Sequence, residues 1–245
     1  MCARCVRADL PIGRTQPRYS CVNGTEEEYA IQTAGRATGD ASVGRNGVYA
    51  LLLVVAASIV ASRILTAPEA FTVNDQSRWS TVRALVDTGS YSIGRRYPSR
   101  DGSYRDVGII ADPGWDTADK VLHPKTRRFY SSKPTLLSTV TAGEYWLLRH
   151  GFDLSMDEDR ITLTRIILLT INWSPFVLYL LLLARLVERL GTTQWGRLFV
   201  FAAACFGTFV SGFLASFNNH SVAATGALFA LYQCLCIHLD DDRRP

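Results

Sequence analysis

Four apolar runs divide the chain. Val48 to Leu65, Ile161 to Ala184, Leu198 to Phe217 and Ser221 to Ile237 carry almost no charge. Each is near the roughly 17–25 residues that a helix needs to cross a bilayer. This pattern predicts an all-α polytopic membrane protein with four transmembrane helices. The expected layout is a disordered tail over 1–46, a first span over 47–66, a large polar loop over 67–160, three spans over 161–239 and a short tail over 240–245. Arg63 is close enough to the end of the first span to snorkel. Pro175 should kink the second span, because it lacks a backbone N–H.

Within the loop, helical periodicity appears twice. Trp79, Val82, Leu85 and Val86 fall on one face at steps of three and four, predicting a surface helix near 75–88. Asn74 or Asp75 is suited to cap it, and Gly89 to stop it. Pro134 opens a second amphipathic helix near 134–150, ended by Gly151, with Tyr145 and Trp146 suited to headgroup depth. Pro98, Gly102, Gly108, Pro113, Gly114 and Pro124 interrupt the stretch between them, which reads as irregular.

Composition sharpens this layout. Charges cluster in the tail, the loop and the last six residues, as a bilayer demands. The net charge of +4 is too small to argue for nucleic acid, and no basic run is interleaved with aromatics. Arg185, Arg189 and Arg197 flank the link between spans two and three, whereas Asn218-Asn219-His220 links spans three and four without a cation. The positive-inside rule then places both termini in the cytoplasm and the loop outside it. The six cysteines avoid the loop, so no exported disulfide framework is expected. Cys2 and Cys5 have half-site zinc spacing without a second half.

The candidate chemistry lies in the loop. Asp75 follows the first span, with Arg78 one turn further on. An N-cap and an intrahelical ion pair are the plain roles for them; the functional ones are a general base or a carboxylate holding a metal that meets a lipid phosphate for Asp75, and a phosphate-binding cation for Arg78. Lys133 precedes the second surface helix, where a cation and a helix N-terminus together suit an anion. Asp112, Asp116, Asp119 and His123 lie close enough in sequence to hold a cation, against the commoner alternative of solvated carboxylates. His220 sits in a polar mouth between two spans.

Four elements in this order resemble the first extracytoplasmic loop of the C-type (GT-C fold) glycosyltransferase superfamily. They are Asn74-Asp75-Gln76-Ser77-Arg78-Trp79, then Arg83 to Tyr91, then Tyr130-Ser131-Ser132-Lys133-Pro134, then Arg165. The closest branch is the protein O-mannosyltransferase and lipid A aminoarabinose transferase group. The resemblance covers about residues 48 to 190. It implies an integral protein of a bacterial inner membrane that transfers sugar from a polyprenyl-phosphate carrier outside the cytoplasm. By it Asp75 takes the position of the catalytic or metal-associated acid, Lys133 that of the lysine near the donor phosphate, and Arg78 that of the first motif's arginine, also at the donor phosphate. Asp116, Asp119, Arg165 and His220 are accessory positions. Membrane lipid and further membrane subunits are the other partners implied; the cofactor is left open, with a divalent cation the main option. Gln76 stands where the family often has Glu, and Ser132 where the aminoarabinose branch has a second acid. The family also has many more spans, so the chain reads as an apparently truncated N-terminal part. A non-catalytic membrane protein that uses the loop for binding or assembly is the alternative.

Overall fold

The computed structural model describes the backbone of residues 24–67 and 75–241 and the side chains of 44–67 and 75–238. Cys2, Cys5, Cys21 and Asn74 lie outside these residues. The chain divides into two units, Met1–Ala50 and Leu51–Pro245. The described part of the first unit, from Gly24 onward, is helical; it takes in residues 24–46 of the segment expected to be a disordered tail and the start of the expected first span.

Four segments are long and apolar enough to cross a membrane: Gly44–Thr66, Arg160–Leu190, Gln194–Phe213 and Asn219–His238. They mark the chain as an integral membrane protein. The first belongs to α1 (Gly24–Thr66). The second comprises α4 (Arg160–Leu168), a π-helical turn over Leu169–Trp173 and α5 (Ser174–Leu190). Pro175 stands at the start of α5. Its missing N–H breaks the regular ladder, and the wider π turn is where the helix absorbs that loss. The third is α6 (Gln194–Phe206) followed by the short α7 (Val210–Phe213), and the fourth lies in α8 (Asn219–Asp241).

Between α1 and α4 come α2 (Gln76–Thr88), a sheet and α3 (Thr135–Phe152). Gly89 ends α2 as expected, in the left-handed region at φ 65°, with its N–H returned to the last turn. α3 runs past Gly151 and ends at Asp153, which takes the left-handed conformation instead (φ 57°). α2 is the central element of this region. Trp79, Val82 and Ala84 are fully buried, so its apolar face is packed inside the protein.

The expectation of an all-α protein needs correction. The stretch read as irregular forms a four-stranded antiparallel sheet of order β2-β1-β4-β3. Its strands are β1 (Ser92–Pro98), β2 (Tyr104–Val107), β3 (Lys120–Leu122) and β4 (Arg128–Ser131). The prolines and glycines sit at strand ends and in turns, so they punctuate the sheet without breaking it. The central β1–β4 pairing joins residues far apart in sequence and leaves no local periodic signal. Gly94 is required there: a Cβ on it would lie 2.6 Å from the Ile110 side chain and 2.7 Å from the Val107 carbonyl.

Candidate functional site

The site is built on the first turn of α2. Asp75 occupies the N-cap position, but its side chain makes no capping bond. Its Oδ2 instead accepts the backbone N–H of Phe217 at 2.9 Å, and the residue is 1% exposed. One turn on, Arg78 Nη1 donates to the carbonyl oxygen of the same Phe217 at 3.2 Å. Trp79 completes the contact, with ring centroids 4.4 Å from those of Phe217. Residues 75, 78 and 79 share one helix face. That face therefore holds both peptide groups and the ring of one residue in the link between the third and fourth candidate spans.

The link is gripped from a second side. Asn172, in the π turn, is fully buried. Its amide donates to the carbonyls of Leu214 (3.0 Å) and Ser216 (2.8 Å), and its Oδ1 accepts from Ser221 Oγ at 2.6 Å. Asn218 Oδ1 then receives the His220 N–H at 2.8 Å and starts α8. His220 itself is exposed, its ring 4.9 Å from that of Phe213.

Two further charges reach this region from the loop. Lys133 Nζ pairs with Asp119 Oδ2 at 2.9 Å, both partly exposed. Burial lowers the pKa of the Arg78 guanidinium from its usual value, and the nearby carboxylates of Asp75 and Asp119 oppose that shift. An arginine stays protonated under such a shift, so Arg78 is a partly desolvated cation. The structure thus brings together Asp75, Arg78, Asp119 and Lys133, from α2, the start of β3 and the start of α3. Ser77 Oγ, on the opposite face of α2, bonds Ser131 Oγ at 2.9 Å and fixes β4 against the helix.

The remaining sequence candidates are elsewhere. Asp116 pairs with Lys120 and is exposed. Asp112 pairs with Arg83 at 2.9 Å, and the His123 ring accepts backbone N–H groups of its own turn. Asp112, Asp116, Asp119 and His123 therefore do not converge. Among the described residues no group of three or more His, Cys, Asp or Glu side chains is placed to hold a metal ion. Arg165 donates to the Ala67 carbonyl at 3.1 Å and ties the second candidate span to the end of α1.

Three features escaped the sequence reading. Arg83 is a buried hub that binds Asp87 (3.2 Å), Asp112 and Asp157 (2.7 Å) and lies 4.7 Å from the Trp115 ring centroid. It borders an open cleft of about 520 Å³ lined by Trp115, Asp157, Glu158 and Arg160, among others. Asn172 was legible only as a polar residue inside an apolar run, which is itself a signal. Glu144, on α3, reaches Thr170 of the π turn at 2.6 Å.

No protein-family model matches the chain, and no curated protein or solved structure matches it.

Proposed function

We propose that the chain is a membrane glycosyltransferase-like protein that uses a polyprenyl-phosphate-linked sugar on the extracytoplasmic face. The observation that carries this reading is that Arg78, bonded to the Phe217 link of two candidate spans, and Lys133, paired with Asp119 at 2.9 Å, both have the Asp119 carboxylate in their neighbourhood. A lipid-linked phosphate needs cations next to an apolar boundary. A desolvated guanidinium together with an ammonium meets that need. In the transfer, an acceptor hydroxyl attacks the anomeric carbon, the sugar–phosphate C–O bond breaks, and polyprenyl phosphate leaves with the electron pair. The hydroxyl proton passes to a carboxylate.

Asp75 is the acid that the family resemblance points to. Its Oδ2 is engaged with Phe217, so in this reading it also positions the Asn218–His220 mouth. Asp119 is the more accessible carboxylate, with 30% of its side chain exposed.

One observation favours the alternative, a non-catalytic protein that uses the loop for binding or assembly. Asp75, Arg78, Asp119 and Lys133 all have partners within the protein, as a purely structural cluster would. Transfer from a polyprenyl-phosphate sugar in isolated membranes separates the two. Asp75→Asn and Lys133→Ala abolish transfer at normal protein levels if the first reading holds. Transfer unchanged by both variants contradicts it. For sidedness, a Gly102→Cys variant should react with an impermeant thiol reagent in intact cells. Reaction only after lysis inverts the topology.

A further inference from the structure

The sheet presents an unneutralised row of arginines. In an antiparallel sheet, directly opposed residues share a face and alternate residues along a strand return to it. Arg95 on β1 is opposed by Arg128 on β4 and by Val107 on β2, and Tyr97 is opposed by Arg105. Arg95, Tyr97, Arg105 and Arg128 therefore occupy one face, and all four are exposed. Gly94 and Phe129, on the other face, are buried. Neighbouring strands are about 4.8 Å apart, so three guanidinium-bearing side chains stand within a narrow band.

Among the described residues, Arg95, Arg105 and Arg128 make no ion pair. Three acids of the surrounding loop are committed, Asp106 to Arg96 at 2.7 Å, Asp116 to Lys120 and Asp119 to Lys133, while Asp101, in the β1–β2 turn, accepts from Ser103. Arg95 lies 5.0 Å from the centroid of the Tyr97 ring. Like charges directly opposed across strands are destabilising, so the Arg95–Arg128 pair is a cost to the sheet unless an anion joins the two.

The layering shows which way this face points. α2 touches Phe217 of the span link through residues 75, 78 and 79, and touches β4 through Ser77 on its opposite side. The order is span link, α2, buried sheet face, arginine face. The arginine row thus looks away from the spans, which disfavours a lipid surface as its partner. A polymer with regularly spaced acid groups fits a row of planar guanidinium groups, each able to bind a carboxylate through two N–H donors.

We propose that this face binds an acidic polysaccharide, a chain of sugars bearing carboxylate groups. Its placement outside the cytoplasm rests on the reading given above. The binding assay requires no transfer, so failure of either leaves the other standing.

The test uses the full chain in nanodiscs of neutral phosphatidylcholine, with polygalacturonate as the probe and uncharged dextran as the control. Binding to polygalacturonate but not dextran is expected. It should weaken about tenfold or more in the triple variant Arg95→Gln, Arg105→Gln, Arg128→Gln, and also as ionic strength rises from about 0.05 to about 0.3 M. Circular dichroism and thermal melting check that the variant is folded. The single variant Arg128→Gln, which also relieves the like-charge pair, should weaken binding with no loss of thermal stability. Absence of polygalacturonate binding, equal binding by the folded triple variant, or equal affinity for phosphatidylglycerol vesicles or single-stranded DNA overturns the proposal.

Discussion

Asp75 and Phe217 are 142 residues apart in sequence, and a carboxylate oxygen of the first accepts the backbone N–H of the second at 2.9 Å. This bond, with Arg78 on the carbonyl of the same residue, joins the first turn of α2 to the link between two candidate spans. It makes a loop residue part of the framework of the membrane region.

Removing the Asp75 carboxylate should therefore destabilise the protein as well as affect chemistry. Asp75→Ala leaves the buried Phe217 N–H without this acceptor, a cost of about 1–3 kcal/mol. Asp75→Asn keeps an oxygen acceptor and should cost less. Thermal melting of the purified protein in detergent orders the three: wild type, then Asn, then Ala. Equal melting of wild type and Ala contradicts the anchoring role.

Asn172 should be similarly sensitive. Asn172→Leu is close in volume but strips hydrogen bonds from two carbonyls and the Ser221 hydroxyl. Hydrogen bonds between membrane helices are worth roughly 0.6–2 kcal/mol each, so the variant should melt clearly below wild type. Protection of the 214–221 backbone in hydrogen exchange should fall with it. An unchanged exchange pattern would show that the link is held without Asn172.

Glu144 gives a pH dependence with a definite sign. Burial raises its pKa above the ordinary carboxyl value, and the Thr170 hydrogen bond only partly offsets this. The Thr170 hydroxyl has one hydrogen but faces two acceptors, Glu144 Oε1 at 2.6 Å and the Ile167 carbonyl at 2.8 Å. A protonated Glu144 satisfies both by donating to Thr170. Between the ordinary carboxyl pKa and the raised one, the folded state binds more protons than the unfolded state. Stability therefore falls as pH rises through that window and is flat above it. Glu144→Gln should remove this slope and melt higher than wild type at neutral pH. A steeper slope in the variant would contradict the assignment.

The membrane layout was legible because a bilayer imposes it. A helix must be about 20 residues long and nearly uncharged to cross, and all four apolar runs overlap the described candidate spans. Asp75, Arg78 and Lys133 could be chosen because helix ends were readable from Gly89 and Pro134. Their joint placement was not, since Phe217 and Asp119 reach them only through the fold. The sheet was hidden for a related reason. The β1–β4 pairing spans the turn-rich stretch between them, so Pro98, Gly102 and Pro124 read locally as breakers. The role of Asp75 as a cap was the natural local inference, and a distant backbone N–H outcompeted it.

The central claim is that Arg78 and Lys133 form a seat for a polyprenyl phosphate. Farnesyl phosphate binding to the purified protein in nanodiscs tests it most directly. Lys133 and Asp119 are a partly exposed pair, worth about 1 kcal/mol or less to stability, so Lys133→Ala and Asp119→Asn should both remain folded. Lys133→Ala should weaken binding about tenfold or more, and Asp119→Asn, which removes the competing carboxylate, should tighten it. Equal affinity in wild type and both variants would contradict the seat and the function built on it.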